Sequence, residues 1–344
     1  MQTLPRPASG CESWKGTDVR YFVTGAAGFI GSHFVRELLK GSYGSDVTGV
    51  TVYDKLTYAG NLENLVSVSQ DPRYAFVQGD ICDGELLDRV LPGHDVVVNF
   101  AAETHVDRSI SGPQAFLVTN VVGAQTLFDA CLRHEIPRTV HIGTDEVYGS
   151  IDEGSWTEDE PLMPNSPYSA AKAAAEMLVR AYHVTYGLNI SSTRCSNNYG
   201  PYQFPEKVIP LFVTNLIDGG KVPLYGDGLN VRDWLHVDDH CRGIAIVVEQ
   251  GLPGQSYNIG GGLELNNREL TEQVLAAMGA DWSSVQPVED RKGHDRRYSV
   301  DDSRIRALGY APQHTFADGL AQTVAWYRAN EAWWRPLKAK AALK

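Results

Sequence analysis

Tyr168 and Lys172 stand four residues apart, and the tripeptide Thr144-Asp145-Glu146 ends 22 residues before that tyrosine (168 − 146). Side chains at i and i+4 of a helix share one face, so the spacing predicts an ammonium beside a phenol, lowering the phenol pKa. A tyrosine tuned in this way takes a proton from a sugar or steroid hydroxyl while hydride leaves the same carbon. The adjacent Asp145 and Glu146 add a second acid and a second base. Oxidation of an alcohol does not need them, whereas elimination of water does. Each feature alone has a plainer reading: chance spacing in an amphipathic helix, and a solvated acidic loop.

The elements around these residues argue for the chemical reading. Ser166-Pro167 directly before Tyr168 predicts a helix start, with Ser166 as cap and Pro167 in the first turn. The positive helix end then favours a phenolate. Tyr168–Tyr186 reads as a long Ala-rich helix. Thr144 follows a strand over Thr139–Ile142, which puts its hydroxyl at the carboxyl edge of a sheet, where open α/β folds bind ligands. Further strands read over Val19–Thr24, Val47–Tyr53, Tyr74–Gln78, Asp95–Phe100 and Asn189–Arg194, with helices to about Lys40 and over Pro113–Arg133. Such alternation predicts an α/β, Rossmann-type doubly wound parallel sheet. We expect it to span residues 19–195 and to be rejoined by 232–250. Residues 196–337, rich in Asn, Pro, Gly and Tyr, suit a smaller C-terminal α/β substrate lobe. Residues 1–18 read as a disordered leader and 338–344 as a solvated tail.

Gly25-Ala26-Ala27-Gly28-Phe29-Ile30-Gly31 follows the first strand and opens a helix. The first glycine permits the tight turn, the second lets backbone approach a pyrophosphate, and the third lets helix and strand pack closely. The helix N-terminus then faces the phosphates. Asp54 ends the second strand 23 residues after Gly31 (54 − 31), where a carboxylate binds ribose hydroxyls and repels a 2′-phosphate. NAD is the cofactor this predicts, although Lys55 beside Asp54 weakens the preference over NADP. Asp80-Ile81 after the third strand either frames the adenine or merely ends that strand.

The formal net charge of −12 over 344 residues argues against a nucleic-acid partner, because phosphate backbones need basic surface. It leaves room for a local basic pocket. No unbroken run of about 18 apolar residues appears, so no membrane span is expected. The N-terminus lacks an apolar signal core, and a cytoplasmic protein is expected. The five cysteines, Cys11, Cys82, Cys131, Cys195 and Cys241, are scattered without a Cys-x-x-Cys, which reads as reduced thiols and no bound metal.

These motifs resemble the extended short-chain dehydrogenase/reductases. Within them, Asp54-Lys55-Leu56-Thr57-Tyr58-Ala59-Gly60-Asn61, Thr144-Asp145-Glu146-Val147-Tyr148-Gly149 and Arg194-Cys195-Ser196-Asn197-Asn198-Tyr199-Gly200-Pro201 look like the dTDP-glucose 4,6-dehydratases. The likeness runs from about Val19 to about Leu337. Gly154-Ser155-Trp156-Thr157-Glu158 and Pro164-Asn165-Ser166-Pro167 look like the branch serving deoxysugars of secondary metabolites. Lys292 stands where relatives often have proline.

The resemblance implies dTDP-glucose as substrate, and a homodimer. It implies Tyr168 as base at the C4 hydroxyl, Lys172 on the nicotinamide ribose, Thr144 on the C4 oxygen, Glu146 as base at C5, and Asp145 as acid at C6. Beyond the glycine turn, Phe29, Ile30, Asp54, Lys55, Leu56, Thr57, Asp80, Ile81, Phe100, Ala101, Ala102, Thr119 and Asn198 match cofactor positions. Thr104, Asn197, Lys207, Arg232, Asn267, Arg291, His294 and Tyr298 match nucleotide-sugar contacts. Arg232 is the candidate partner of the pyrophosphate, through a bidentate fork. A UDP-sugar 4-epimerase would share the fold, NAD and Tyr168 but would not need Asp145-Glu146. A UDP-uronate decarboxylase is a second enzymatic rival, and a non-catalytic NAD-binding module is a rival of another class.

Overall fold

The computed structural model describes residues 18–44, 46–291 and 293–342. The leader up to Thr17, Lys292 and the last two tail residues lie outside them. Strands β1 (Val19–Thr24), β2 (Val47–Asp54), β3 (Tyr74–Gln78), β4 (Val96–Asn99), β5 (Arg138–Thr144) and β6 (Ile190–Cys195) belong to one sheet. They are followed by β7 (Asn197–Tyr199), β8 (Val222–Tyr225), β9 (Val231–His236), β10 (Ser256–Ile259), β11 (Glu264–Asn266) and β12 (Val285–Val288).

The large sheet has the order β10-β6-β5-β4-β1-β2-β3, and every neighbouring pair is parallel. Strand order reverses between β1 and β4, and a ligand crevice opens at such a switch point. The strands read as near-continuous apolar runs because helices cover both faces. Phe34, Val35 and Leu38 of the Phe29–Lys40 helix are buried on one side, and Leu127 and Phe128 on the other. Each such side chain contributes about 1.5–3 kcal/mol on burial.

Two features depart from the expected outline. Pro113–Arg133 is continuous, but Val118–Gly123 within it is π-helical. The return to the first lobe does not stop at Gln250. The Val237–Gln250 helix packs Cys241, Ile244, Val247 and Val248 into the core beside β1 and β2, and β10 then adds a seventh strand against β6. The boundaries expected from sequence assign that strand to the substrate lobe.

The Pro113–Arg133 helix also qualifies the expectation about membranes. Its 21 residues include a stretch with mean hydropathy 1.4, long and apolar enough by those measures to span a bilayer. Phe116, Ala124, Leu127, Phe128 and Cys131 on it are nevertheless buried against protein.

The smaller lobe holds the β11-β9-β7 sheet and the β12-β8 pair around a core that includes Phe212, Trp234, Leu270, Phe316, Tyr327 and Trp334. The Glu331–Ala342 helix runs into the segment expected to be a solvated tail. Lys338 there pairs with Asp218 at 2.7 Å.

Candidate active site

The carboxyl ends of the central strands open onto one cleft, and most of the motif residues line it. Gly25, Gly28, Phe29, Ile30, Gly31, Asp54, Lys55, Thr57, Asp80, Ile81, Phe100, Ala101, Ala102 and Thr119 face one end. Thr104, Thr144, Asp145, Glu146, Tyr168, Lys172, Asn197, Asn198 and Lys207 face the other.

The glycine turn fits close backbone approach. Gly25 has φ +63°, and a Cβ there would lie 2.5 Å from the Ala101 nitrogen. A Cβ at Gly31 would lie 2.6 Å from the Gly25 carbonyl oxygen. The Phe29–Lys40 helix begins at Gly28 without a side-chain cap, so its first N–H groups remain available to an anion. Asp54, 8% exposed, accepts from the Ala27 and Leu56 N–H groups at 2.9 and 2.8 Å. Leu56 itself does not line the cleft; its φ of 57° turns the chain back onto Asp54. Lys55 is drawn to Asp80 at 2.6 Å. Its ammonium is thereby paired with Asp80 rather than Asp54.

At the reacting end, the Pro167–Tyr186 helix starts as expected. Ser166 accepts from the Ser169 N–H at 3.1 Å, Ser169 Oγ returns a bond to the Ser166 N–H at 3.0 Å, and Pro167 opens the first turn. Tyr168 and Lys172 are buried at 7% and 5% exposure. Thr144 lies between the two acid–base pairs. Its hydroxyl donates to Asp145 Oδ1 at 3.4 Å and accepts from the Glu146 N–H at 3.3 Å, and it lines the same cleft as the Tyr168 phenol, whose rise in pKa it partly offsets. Asp145 and Glu146 lie on the 3₁₀ turn Asp145–Tyr148.

One expectation is corrected here. Lys172 donates to the Ile142 carbonyl at 2.5 Å, and burial lowers its pKa to about 8. The Tyr168 phenol is pushed up rather than down, by burial first and then by Glu146. Helical spacing put both groups on one face, but the long lysine chain reaches past the ring to a carbonyl.

The two carboxyls are shifted unequally. Burial raises Asp145 well above the carboxylate range, with Glu146 and Asp233 adding to it, and its Oδ2 has no hydrogen-bond partner. Burial also raises Glu146, but Arg291, Arg232 and Lys207 oppose it. Neighbouring carboxyls driven apart in this way suit one acid and one base.

Arg232, Asn267, Arg291, His294 and Tyr298 lie beyond the reacting residues. Arg232 is stacked over Tyr298 at 4.1 Å. Part of its fork is already used: Nη1 donates to the Val231 carbonyl at 2.7 Å and Nη2 to that of Asp295 at 2.9 Å. His294 bonds to Asp290 at 2.6 Å. Asn267 opens the Asn267–Met278 helix, and its carbonyl accepts from the Thr271 hydroxyl at 2.6 Å; like Arg232, Arg291, His294 and Tyr298, it does not line the cleft around Tyr168. Sequence reasoning missed Trp333 and Leu337, which line the cofactor end from the C-terminal helix. Trp333 Nε1 donates to Asn64 at 2.9 Å. Their i, i+4 spacing was the only available signal.

Comparison with known proteins agrees with this geometry. The family described as GDP-mannose 4,6 dehydratase matches residues 22–323. The dTDP-glucose 4,6-dehydratase of Streptomyces griseus is 61% identical over 316 residues, covering 92% of this chain and 96% of that protein. The crystal structure of DesIV, a dTDP-glucose 4,6-dehydratase from Streptomyces venezuelae with NAD bound, superposes with TM-score 0.92 at 63% identity, covering 93% of this chain and all of DesIV. The Bacillus anthracis dTDP-glucose 4,6-dehydratase in complex with NAD gives TM-score 0.86 at 48% identity, over 93% of this chain and 99% of that one.

Proposed function

Because the chain belongs to the GDP-mannose 4,6 dehydratase family and, within the extended short-chain dehydrogenase/reductases, to the dTDP-glucose 4,6-dehydratases, we propose that it converts dTDP-glucose to dTDP-4-keto-6-deoxyglucose with NAD. The observation that carries this reading is that Tyr168, Lys172, Asp145 and Glu146 line one cleft together with Thr144, whose hydroxyl donates to Asp145. An epimerase has no use for the second pair. The relatives in Streptomyces favour a place in deoxysugar formation for a secondary metabolite.

NAD, when bound, supplies the hydride acceptor for C4, a positive charge beside the phenol, and the donor that later reduces C6. Gly25, Gly28 and Gly31 would admit its pyrophosphate, and Asp54 its adenosine ribose. Lys172 would turn from the Ile142 carbonyl to the other ribose. Tyr168 takes the C4 hydroxyl proton while Thr144 holds that oxygen. The C4 ketone acidifies the C5 proton, which Glu146 removes. Asp145, kept protonated by burial, protonates the C6 hydroxyl as it leaves as water. Glu146 then returns its proton to C5. Thr104, Asn197, Lys207, Arg232, Asn267, Arg291, His294 and Tyr298 are the proposed nucleotide-sugar contacts.

Incubation with dTDP-glucose tests this reading. A 4-keto-6-deoxy product formed without added NAD is the expected result, because hydride returns within each turnover and the cofactor need not leave. A C4 epimer with its 6-hydroxyl intact would overturn the reading.

The homodimer belongs to the same proposal. Leu117, Val118 and Val122 on the Pro113–Arg133 helix are exposed, as are Met177, Val184 and Tyr186 on the adjoining Pro167–Tyr186 helix. Pairing of two copies would cover these residues. Light scattering should return twice the chain mass, and a monomer at micromolar concentration would count against it. We also place the protein in the cytoplasm; Cys82, Cys131, Cys195 and Cys241 are free thiols, as a reducing compartment would keep them.

A further inference from the structure

Behind the cleft lies a buried ion pair that the proposed chemistry does not use. Glu176 stands four residues beyond Lys172 and eight beyond Tyr168 on the same helix, so all three share one face. Its carboxylate, 4% exposed, accepts two bonds from Arg194 Nε, at 2.8 and 3.0 Å, and a third from Nη2. Ser256 Oγ adds another at 2.7 Å. Arg194, on β6, also donates through Nη1 to the Tyr148 hydroxyl and, at 3.1 Å, to the Glu158 carbonyl. The Tyr148 hydroxyl in turn donates to Asn258 Oδ1 at 2.9 Å.

The partners are spread over separate elements. Glu176 shares its helix with Tyr168 and Lys172. Tyr148 closes the turn that carries Asp145 and Glu146. Ser256 and Asn258 lie on β10. One guanidinium therefore joins the element of the oxidation pair to the element of the elimination pair.

A buried ion pair is weak evidence for stability, since desolvation offsets much of the attraction and apolar residues could fill the same space. Apolar residues could not fix these elements through directional bonds. The geometry points to Arg194, Glu176 and Tyr148 as positioning residues that hold the two acid–base pairs in register, with the Tyr148 hydroxyl as the tie to the elimination turn.

The inference rests on the dehydratase reading, and Tyr148→Phe tests it. This variant keeps the ring and its stacking on Trp156 and removes only the hydroxyl. The Pro167–Tyr186 helix keeps its Arg194–Glu176 tie, so the first hydride transfer should persist. The elimination turn loses its side-chain tie and keeps the Met163 N–H on the Val147 carbonyl, so product should form about tenfold more slowly, less than the roughly 10²-fold that outright misplacement or loss of an acid or base costs. Absorbance of the reduced cofactor should then build up on mixing with dTDP-glucose, beyond the parent level. Product at the parent rate without that build-up would overturn the proposal. So would a slower rate with no build-up, because that pattern marks general loosening. If the parent itself makes no 4-keto-6-deoxy product, the dehydratase reading fails and this proposal falls with it. If the parent does and the variant matches it, only the positioning role is lost. Glu176→Gln gives a second readout. Glu176 helps hold the charge on the buried Lys172, so the alkaline limb of the first hydride transfer should move to lower pH; an unmoved limb would count against the proposal.

Discussion

Tyr168 and Lys172 ride on a 20-residue helix, whereas Asp145 and Glu146 ride on a four-residue 3₁₀ turn. The helix is fixed by local devices: a reciprocal serine cap, a proline at its start and a left-handed glycine at its end. The turn is capped by the Thr144 hydroxyl, tied through the Tyr148 hydroxyl, and held at the Val147 carbonyl by the Met163 N–H at 3.0 Å. Burial raises both of its carboxyls, and Arg291, Arg232 and Lys207, from loops and from β9, oppose that rise at Glu146, with Arg232 alone of these doing so at Asp145. On the proposed function, oxidation is built into the sheet and helix framework, whereas elimination sits on a turn tuned in part by Arg232, Arg291 and Lys207, and the two should be separable by mutation.

The largest effect should come from the helix. Tyr168→Phe removes the proposed base at C4 and should slow the first hydride transfer by roughly 10²–10⁴-fold. Cofactor reduction on mixing with dTDP-glucose, followed by absorbance, should be lost. Normal reduction in this variant would break the comparison at its root.

Changes on the turn should behave differently. Asp145→Asn and Glu146→Gln should each cut product formation by roughly 10²-fold while leaving NAD binding intact. The Glu146 variant should accumulate reduced cofactor, because oxidation at C4 precedes proton removal at C5. If both variants turn over dTDP-glucose at the parent rate, these carboxyls do not carry the elimination.

A smaller effect tests the tuning. Burial raises Glu146, and Arg291 is the strongest influence opposing that rise. Arg291→Gln should therefore raise the Glu146 pKa further. Glu146 acts deprotonated, so the acid limb of product formation should move to higher pH, with tenfold less base per pKa unit below the limb. The acid limb of the first hydride transfer should stay in place. Measuring both limbs on one preparation checks whether the lobe tunes only the turn.

This division also explains what could be read from residue order. The start of the long helix follows from Ser166-Pro167, whose bonds are local, and β1 and the glycine turn likewise follow from adjacent residues. Thr144 at a strand end needed only the apolar run before it. Local order did not disclose that Lys172 would seek the Ile142 carbonyl, or that Lys55 would pair with Asp80, since chain folding brings those partners together. The π-helical segment Val118–Gly123 has no compositional mark. It places Asn120 where it exchanges bonds with both Glu103 backbone groups, a contact between separate elements. β10 is short and half polar, and only pairing with β6 makes it a strand. The roles of Arg232 and Arg291 near Glu146 depend on how one lobe sits over the other.

The smallest expected effect concerns the cap itself. Ser166→Ala removes the acceptor for the Ser169 N–H and should cost about 1 kcal/mol of stability. For a chain of this size, that is a fall of about 2–4 °C or less in the thermal midpoint. Tyr168 lies in the first turn, so fraying there should reach the phenol before any other reacting group. Lys172 stays anchored by the Ile142 carbonyl, and Glu176 by Arg194. Asp145 and Glu146 keep Thr144 and Tyr148. The first hydride transfer should therefore slow by less than tenfold, well short of the loss of the base itself, with no build-up of reduced cofactor, because the later step is untouched. Build-up in Ser166→Ala would show that the helix start also positions the elimination turn, and the two regions would then be one mechanical unit.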